Sequence, residues 1–286
     1  MESEMETGLG GKAVLVTGAT TNIGRGIARA FAMEGARVAI AGRDVEAGAV
    51  VVEEALKAGA ADAVFLGADL LEPGAAAEMV SEARGRFGEI DVLVNNLGGS
   101  AAISEFAKSE EAQWRYDLDI NVMTTLRVTR AALPGMIARG GGGRIINIAS
   151  TAGLVGEPYL ATYAAGKAAM FGFTITLACE LGRHSITVNA IAPYGTMPSD
   201  PTEQASSGSR FHPETGIFAN PKPGTAELLQ TIPRATILPR VMAYTDEIGG
   251  AAVYLASQQA AFITGETIVV DGGVRLGWRH PDLRQA

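Results

Sequence analysis

Short runs of β-branched and apolar residues alternate along the chain with longer, alanine-rich stretches of helical period. The runs fall at Ala13–Thr17, Arg37–Ala41, Ala63–Gly67, Val92–Asn95, Arg144–Ile148, Thr187–Ala192 and Thr267–Val270. Helices are expected over Ile23–Glu34, Val45–Ala58, Gly74–Phe87, about Glu111–Ala138, Tyr159–Leu181 and Asp246–Ala256. Because the strand runs are apolar throughout rather than alternating, both faces of the sheet are expected to be covered. The pattern thus predicts an α/β fold, a doubly wound parallel sheet with helices on both faces. From Pro193 to about Thr236 the rhythm breaks into a stretch crowded with Pro, Ser, Gly, Asn and Thr. An interruption of that length in a compact domain is read as a substrate lid, spanning 193–240. The run Gly140–Gly143 is read as a surface turn without function.

Composition narrows the function classes. The chain has 286 residues, enough to bury a large core without metals or disulfides, and one domain over 11–286 is expected after a flexible tail over 1–10. A net charge of −8 with no basic stripe argues against a nucleic-acid partner. The single cysteine, Cys179, excludes an intrachain disulfide and a Cys-x-x-Cys metal site; in its apolar context it is expected to be buried. The opening MESEMETGLG lacks the basic and apolar regions of a secretory signal, and no apolar run approaches the roughly 18 residues of a membrane span. A cytoplasmic enzyme with no membrane partner is expected.

Two places carry chemistry. The first strand runs into Gly18-Ala19-Thr20-Thr21-Asn22-Ile23-Gly24-Arg25-Gly26 and then a helix. Small residues at such a junction let backbone N–H groups approach a pyrophosphate, which a helix N-terminus also favours. At the end of the second strand Gly42 leaves room and Arg43 supplies a cation, an arrangement suited to a ribose 2′-phosphate. The bland alternative makes Arg43 a solvated residue at a helix start, with Asp44 as N-cap. Further on, Tyr163 and Lys167 stand at i,i+4 on one helix face, with Ser150 thirteen residues upstream at a strand end. A phenol exchanges protons poorly at neutral pH unless a neighbouring ammonium favours its anion. Taken alone, the Tyr–Lys pair reads equally well as an exposed helical pair.

Together these segments resemble the short-chain dehydrogenase/reductase family. Thr17-Gly18 and Gly24 match its TGxxxGxG turn, with Asn22 in place of the middle glycine. Asn95-Asn96-Leu97-Gly98 is similar to its NNAG, with Leu97 for alanine. Ser150 in NIAS-T-AG, followed by Tyr163-Ala-Ala-Gly-Lys167, matches its signature. Val188–Pro193 is similar to VNAIAPG, with Tyr194 at the usual glycine, and ITG…VDGG closes at Gly273. The resemblance runs from about Lys12 to Gly273 and leaves the lid unmatched.

The resemblance implies a single Rossmann-type domain, commonly a homotetramer or homodimer, that moves a hydride between nicotinamide and an alcohol/ketone pair. It assigns Tyr163 as acid/base, Lys167 as the group lowering its pKa, Ser150 as the binder of the substrate oxygen, and Asn121 as the holder of a water linking Lys167 to solvent. The cofactor is expected on Gly18, Thr20, Thr21, Asn22, Ile23, Gly24, Arg43, Asp69, Leu70, Asn96, Gly98, Tyr163, Lys167, Pro193 and Thr196, with Ile191 beside them. NADP is favoured over NAD, on Arg43. Gly99, Ser100, Glu157, Pro158 and Tyr159 are expected to line the substrate pocket, with Met197, Phe211, His212, Ile217 and Phe218 from the lid. Trp278, Arg279 and His280 are expected to pack on a neighbouring subunit. The alternatives are a 3-oxoacyl-thioester reductase of the same family and a non-catalytic NADP-binding regulatory protein. A complete Asn121–Ser150–Tyr163–Lys167 set argues for the enzyme.

Overall fold

In the computed structural model, which describes residues 6–204, 208–216, 219–220 and 236–276, seven strands form one parallel sheet. In chain order the elements are β1 (Ala13–Thr17), α1 (Asn22–Met33), β2 (Arg37–Gly42), α2 (Val45–Ala58), β3 (Asp62–Gly67), α3 (Ala75–Phe87) and β4 (Val92–Asn95). There follow α4 (Glu111–Leu118), α5 (Thr124–Arg139), β5 (Gly143–Ile148), α6 (Ala152–Val155), α7 (Ala161–Leu181) and β6 (Ile186–Pro193). The last are β7 (Thr196–Met197), α8 (Pro201–Gln204), β8 (Ala243–Tyr244), α9 (Thr245–Ala256) and β9 (Thr267–Val270). The spatial order β3-β2-β1-β4-β5-β6-β9 reverses direction between β1 and β4, where ligands bind beyond the carboxyl ends of the strands.

The two faces of the sheet are separated by the period of two along each strand. In β1, Val14 and Val16 join Ile27, Phe31, Ile248 and Leu255 beneath α1 and α9. Ala13 and Leu15 point the other way, to Met79, Phe87, Val128, Met136 and Leu177 beneath α3, α5 and α7. Registers such as Val14↔Val38 and Val14↔Val92 keep the sets apart across neighbouring strands, because a slip of one residue would exchange them.

Four expectations need correction or refinement. The helix expected over 111–138 is interrupted by a π-turn at Asp119–Met123 between α4 and α5. Residues 6–10, assigned to a flexible tail, are packed: Leu9 is in the core and the Thr7 hydroxyl donates to Glu34 at 2.6 Å. Cys179 is exposed. Along α7, Gly166, Met170, Thr174, Leu177, Ala178 and Leu181 turn inward, which leaves Ala165, Ala168, Gly172, Ile175 and Cys179 on the outer face. Finally, the two ends of the stretch read as a lid are tied together, since β7 and β8 pair in parallel, Thr196↔Ala243, and the Ala243 N–H donates to the Gly195 carbonyl at 2.9 Å. Among the described residues no helix is long and apolar enough to cross a membrane.

Candidate active site

Two residues with positive φ shape the glycine turn between β1 and α1. Gly18 has φ 62°, and Asn22, standing where the middle glycine of the pattern would be, adopts φ 48°, a conformation asparagine tolerates better than most residues. Thr21 enters α1 in extended geometry without a side-chain cap, and the first turn carries no acidic residue. The positive end of the helix is therefore not neutralised from within. A Cβ on Gly24 would run into the Gly18 carbonyl and the Asn96 amide. This cradle fits a dinucleotide pyrophosphate.

Asn96 acts on the turn rather than in it. Its Nδ2 donates to the Thr17 and Gly18 carbonyls, both at 2.9 Å, while the Thr17 hydroxyl accepts from the Asn96 and Leu97 N–H groups at 3.0 and 3.1 Å. Beyond β2, Arg43 is largely exposed and reaches Asp69 at 3.5 Å; Asp44 caps α2 by accepting from the Ala47 N–H at 3.0 Å. Gly42 sits against Thr20, where a Cβ would lie 2.6 Å from Thr20 Cγ2. The side chains of Leu70 and Ile191 are buried in the two cores, which leaves only their backbones facing the cleft side of the sheet edge. Pro193 ends β6 with its carbonyl accepting from the Thr151 N–H at 3.1 Å, and the Thr196 hydroxyl donates to the Tyr194 carbonyl at 2.9 Å.

The second cluster forms where β5 and α7 meet. Ser150 follows β5, its Oγ accepting from the Ala152 N–H at 3.2 Å and hydrogen-bonding Tyr163. Lys167, one turn further along α7, is 4% exposed; its Nζ donates to the Ile148 carbonyl at 2.8 Å and lies 5.8 Å from the centre of the Tyr163 ring. Asn121 is buried in the π-turn. Its Nδ2 donates to the Gly99 and Asp117 carbonyls, both at 2.7 Å, and its Oδ1 accepts from the Gly99 N–H at 3.1 Å. Gly98 separates the two groups: a Cβ there would come within 2.6 Å of Asn121 Oδ1 and 2.7 Å of Lys167 Nζ. All four expected residues thus converge, with a glycine where nothing larger fits.

Burial dominates the electrostatics of this cluster. It brings Lys167 down to about 8. It also raises Tyr163 above its ordinary value, against the opposing hydrogen bond from Ser150 and the charge of Arg210. Removal from water is thus the largest influence on Tyr163, with the Lys167 ammonium beside it hydrogen-bonded to the Ile148 carbonyl. Removal from water likewise raises Glu157, and raises Tyr194 to about 12 with Glu157 adding to the effect.

Sequence reasoning missed two contributors. Buried Asp117 accepts from the Ala101 N–H at 2.7 Å and the Thr162 hydroxyl at 2.6 Å, pinning the loop that carries Gly99 and Ser100 to the start of α7. Arg210, 47 positions beyond Tyr163, acts on it through its charge. No local pattern marks either. His212, expected at the pocket, spends its Nδ1 on the Glu214 and Thr215 N–H groups at 3.1 and 3.2 Å. Ile217, Phe218, Trp278, Arg279 and His280 lie outside the described residues.

A glycine turn at the switch point of a parallel sheet, facing a Ser–Tyr–Lys cluster, defines a dinucleotide-dependent oxidoreductase site. A family model described as short chain dehydrogenase matches residues 12–209. The chain belongs to that family, whose oxidoreductases act on carbonyl and alcohol groups with a nicotinamide cofactor. It is 37% identical over 262 residues to an A-factor type gamma-butyrolactone 1′-reductase (1S-forming) of Streptomyces virginiae, covering 92% of this chain and 95% of the relative. It is 33% identical to the 3-oxoacyl-[acyl-carrier-protein] reductase FabG of Escherichia coli K12, covering 93% and 98%. Among solved structures, a short-chain type dehydrogenase/reductase from Mycobacterium ulcerans superposes with a TM-score of 0.80 at 28% identity, over 94% of this chain and 91% of that one.

Proposed function

We propose that this protein reduces a ketone to a secondary alcohol, and runs the reverse reaction at high pH, with NADP(H) as cofactor. The observation that carries the reading is the convergence of Ser150, Tyr163 and Lys167, with Gly98 packed against Lys167. When bound, the nicotinamide supplies or accepts the hydride. Ser150 orients the substrate oxygen, and Tyr163, kept protonated by its burial, donates the proton that turns this oxygen into a hydroxyl. Lys167 holds the far side of the cluster from the Ile148 carbonyl, and Asn121, in the π-turn, holds a water that links Lys167 to solvent. The named activities of the Streptomyces and Escherichia relatives, both reductases, support the reductive direction.

The cofactor lies along Gly18, Thr20, Thr21, Asn22, Ile23 and Gly24, with Asp69 near the adenine and Pro193 and Thr196 near the carboxamide. The guanidinium of Arg43 takes the 2′-phosphate, exchanging an exposed ion pair with Asp69 that is worth only about 0–1 kcal/mol. A panel of ketones including a 3-oxoacyl thioester, followed through nicotinamide absorbance with each cofactor, tests the reading. NADPH-dependent turnover of simple ketones supports it, turnover confined to the thioester favours the second reading, and cofactor binding without turnover of anything overturns it. Arg43→Ala is expected to raise the KM for NADPH about tenfold with little change for NADH, since one charge-assisted contact is lost. An equal response to both cofactors contradicts the NADP assignment.

The protein is also proposed to form a homotetramer or homodimer. The outer face of α7, with Ile175 55% exposed, and the fully exposed Phe262 are apolar surfaces that self-association would cover. Light scattering in solution tests this, and a monomer at micromolar concentration contradicts it.

A further inference from the structure

The carboxyl ends of the strands hold the active site; a second cluster of charge lies at their opposite ends. Lys12 precedes β1, Asp91 precedes β4 and Arg144 stands at the start of β5. Arg139 closes α5, and the turn Gly141–Gly143 joins it to β5. With Gly8, Leu9 and Gln258 these residues enclose a cavity of about 150 Å³ that opens to solvent on one side. One water needs roughly 10–15 Å³ on this scale, so several heavy atoms fit.

The charges around the cavity do not balance. Three cations line it against a single carboxylate, Asp91. That carboxylate is already fully engaged: Oδ1 meets Arg139 Nη1 at 2.7 Å and Lys12 Nζ at 3.5 Å, and Oδ2 accepts from the Ala13 N–H at 2.8 Å. Arg144 makes no ion pair among the described residues; its Nη1 donates only to the neighbouring Gly143 carbonyl at 3.0 Å. The Nε atoms of both Arg139 and Arg144 are shut away from solvent without a hydrogen-bond partner among the described residues. Burial lowers the pKa of Arg144, and the charge of Arg139 adds to it. Arg144 thus brings to the cavity wall a charge that no carboxylate answers among the described residues, and an acceptor-rich group seated there would offset it.

The turn is shaped to keep them there. Gly142 has φ 77°, and a Cβ on it would lie 2.7 Å from the Ser185 carbonyl, so the tight path requires glycine. Its own carbonyl accepts from Arg139 Nη2, which fixes that guanidinium against the cavity wall.

We propose that this cavity is a binding site for a phosphate-sized oxyanion, either the free ion or the phosphate end of a small metabolite, held by Arg144, Arg139 and Lys12. Planar guanidinium forks suit tetrahedral oxyanions, and the volume admits a phosphate with a few attached atoms but not a dinucleotide. The Gly140–Gly143 turn, unremarkable as sequence, thereby becomes the floor of a site remote from the chemistry.

Calorimetric titration of the full chain, saturated with NADP and held at constant ionic strength with chloride, tests the proposal, using inorganic phosphate and glycerol phosphate as probes. One phosphate is expected to bind per chain. Arg144→Gln should weaken it about tenfold, the loss of one charge-assisted contact, while leaving the KM for cofactor unchanged. Tighter binding of glycerol phosphate identifies the phosphorylated metabolite as the source, and equal binding the free ion; both support the site. Should Arg144→Gln fail to fold, Lys12→Gln, whose side chain is 46% exposed, is expected to weaken phosphate several-fold. No phosphate binding beyond that of chloride, or binding that neither variant alters, overturns the proposal.

Discussion

Lys167 illustrates how far burial, and not proximity of charge, governs single residues in this site. Its ammonium titrates near 8 in the fold, against 10.5 ordinarily. The unfolded chain therefore binds the extra proton between those values, and the cost of burying the charge is fully present below pH 8 and relieved as pH rises towards 10.5. In a Lys167→Met variant that slope is absent. The stability of the native chain relative to the variant is accordingly expected to climb across this window in urea melts at successive pH values; parallel curves contradict it. Identities at this scale were legible wherever a motif spaced them: Ser150, Tyr163, Lys167, Asn121 and Gly98 all meet. What spacing does not carry is direction. Leu70, beyond β3, and Ile191, within β6, both turn their side chains to the cores, and the charge of Arg210 that opposes the rise in the Tyr163 pKa comes from a residue far along the chain.

At the scale of elements, the strands were readable because a parallel sheet covered on both sides demands unbroken apolar runs, and β1, β4 and β9 fall where those runs do. The split between α4 and α5 was not, since no Gly or Pro marks the π-turn. Cys179 was misplaced for a related reason: α7 is apolar nearly all round, so its sequence does not say which side faces the sheet. A buried polar ladder ties these elements to one another. Asn95 Nδ2 donates to Thr129 Oγ1 at 3.0 Å and Asn147 Oδ1 at 2.9 Å, and Asn147 Nδ2 donates to Thr174 Oγ1 at 2.9 Å, linking β4, β5, α5 and α7 beneath the catalytic cluster. Asn147→Ala strands a donor and an acceptor in the interior and is expected to cost about 1–3 kcal/mol. Urea denaturation measures it; a change below a few tenths of a kcal/mol means the ladder contributes nothing.

For the molecule as a whole, the doubly wound sheet places two kinds of chemistry at one edge, the phosphate turn after β1 and the acid/base cluster after β5, because the strand order reverses between β1 and β4. Described residues beyond β7 touch the phosphate-turn side: Ser209 reaches Asn22 at 3.4 Å, and buried Glu203 pairs with Arg29 of α1 at 2.5 Å. Burial costs that carboxylate more hydration than Arg29 returns, and its pKa is raised, whereas Arg29 also meets Asp246 and its own pKa is raised, the charged form being favoured. In the proposed reaction Tyr163 is the proton donor to a carbonyl whose hydride comes from nicotinamide. Tyr163→Phe removes one oxygen atom from the cleft and little else. Cofactor binding, followed by fluorescence of the reduced nicotinamide, is expected to stay within about twofold of the native chain, while turnover of the best ketone falls by about 10²–10⁴. Turnover that survives the substitution, or cofactor binding lost along with it, contradicts the assignment.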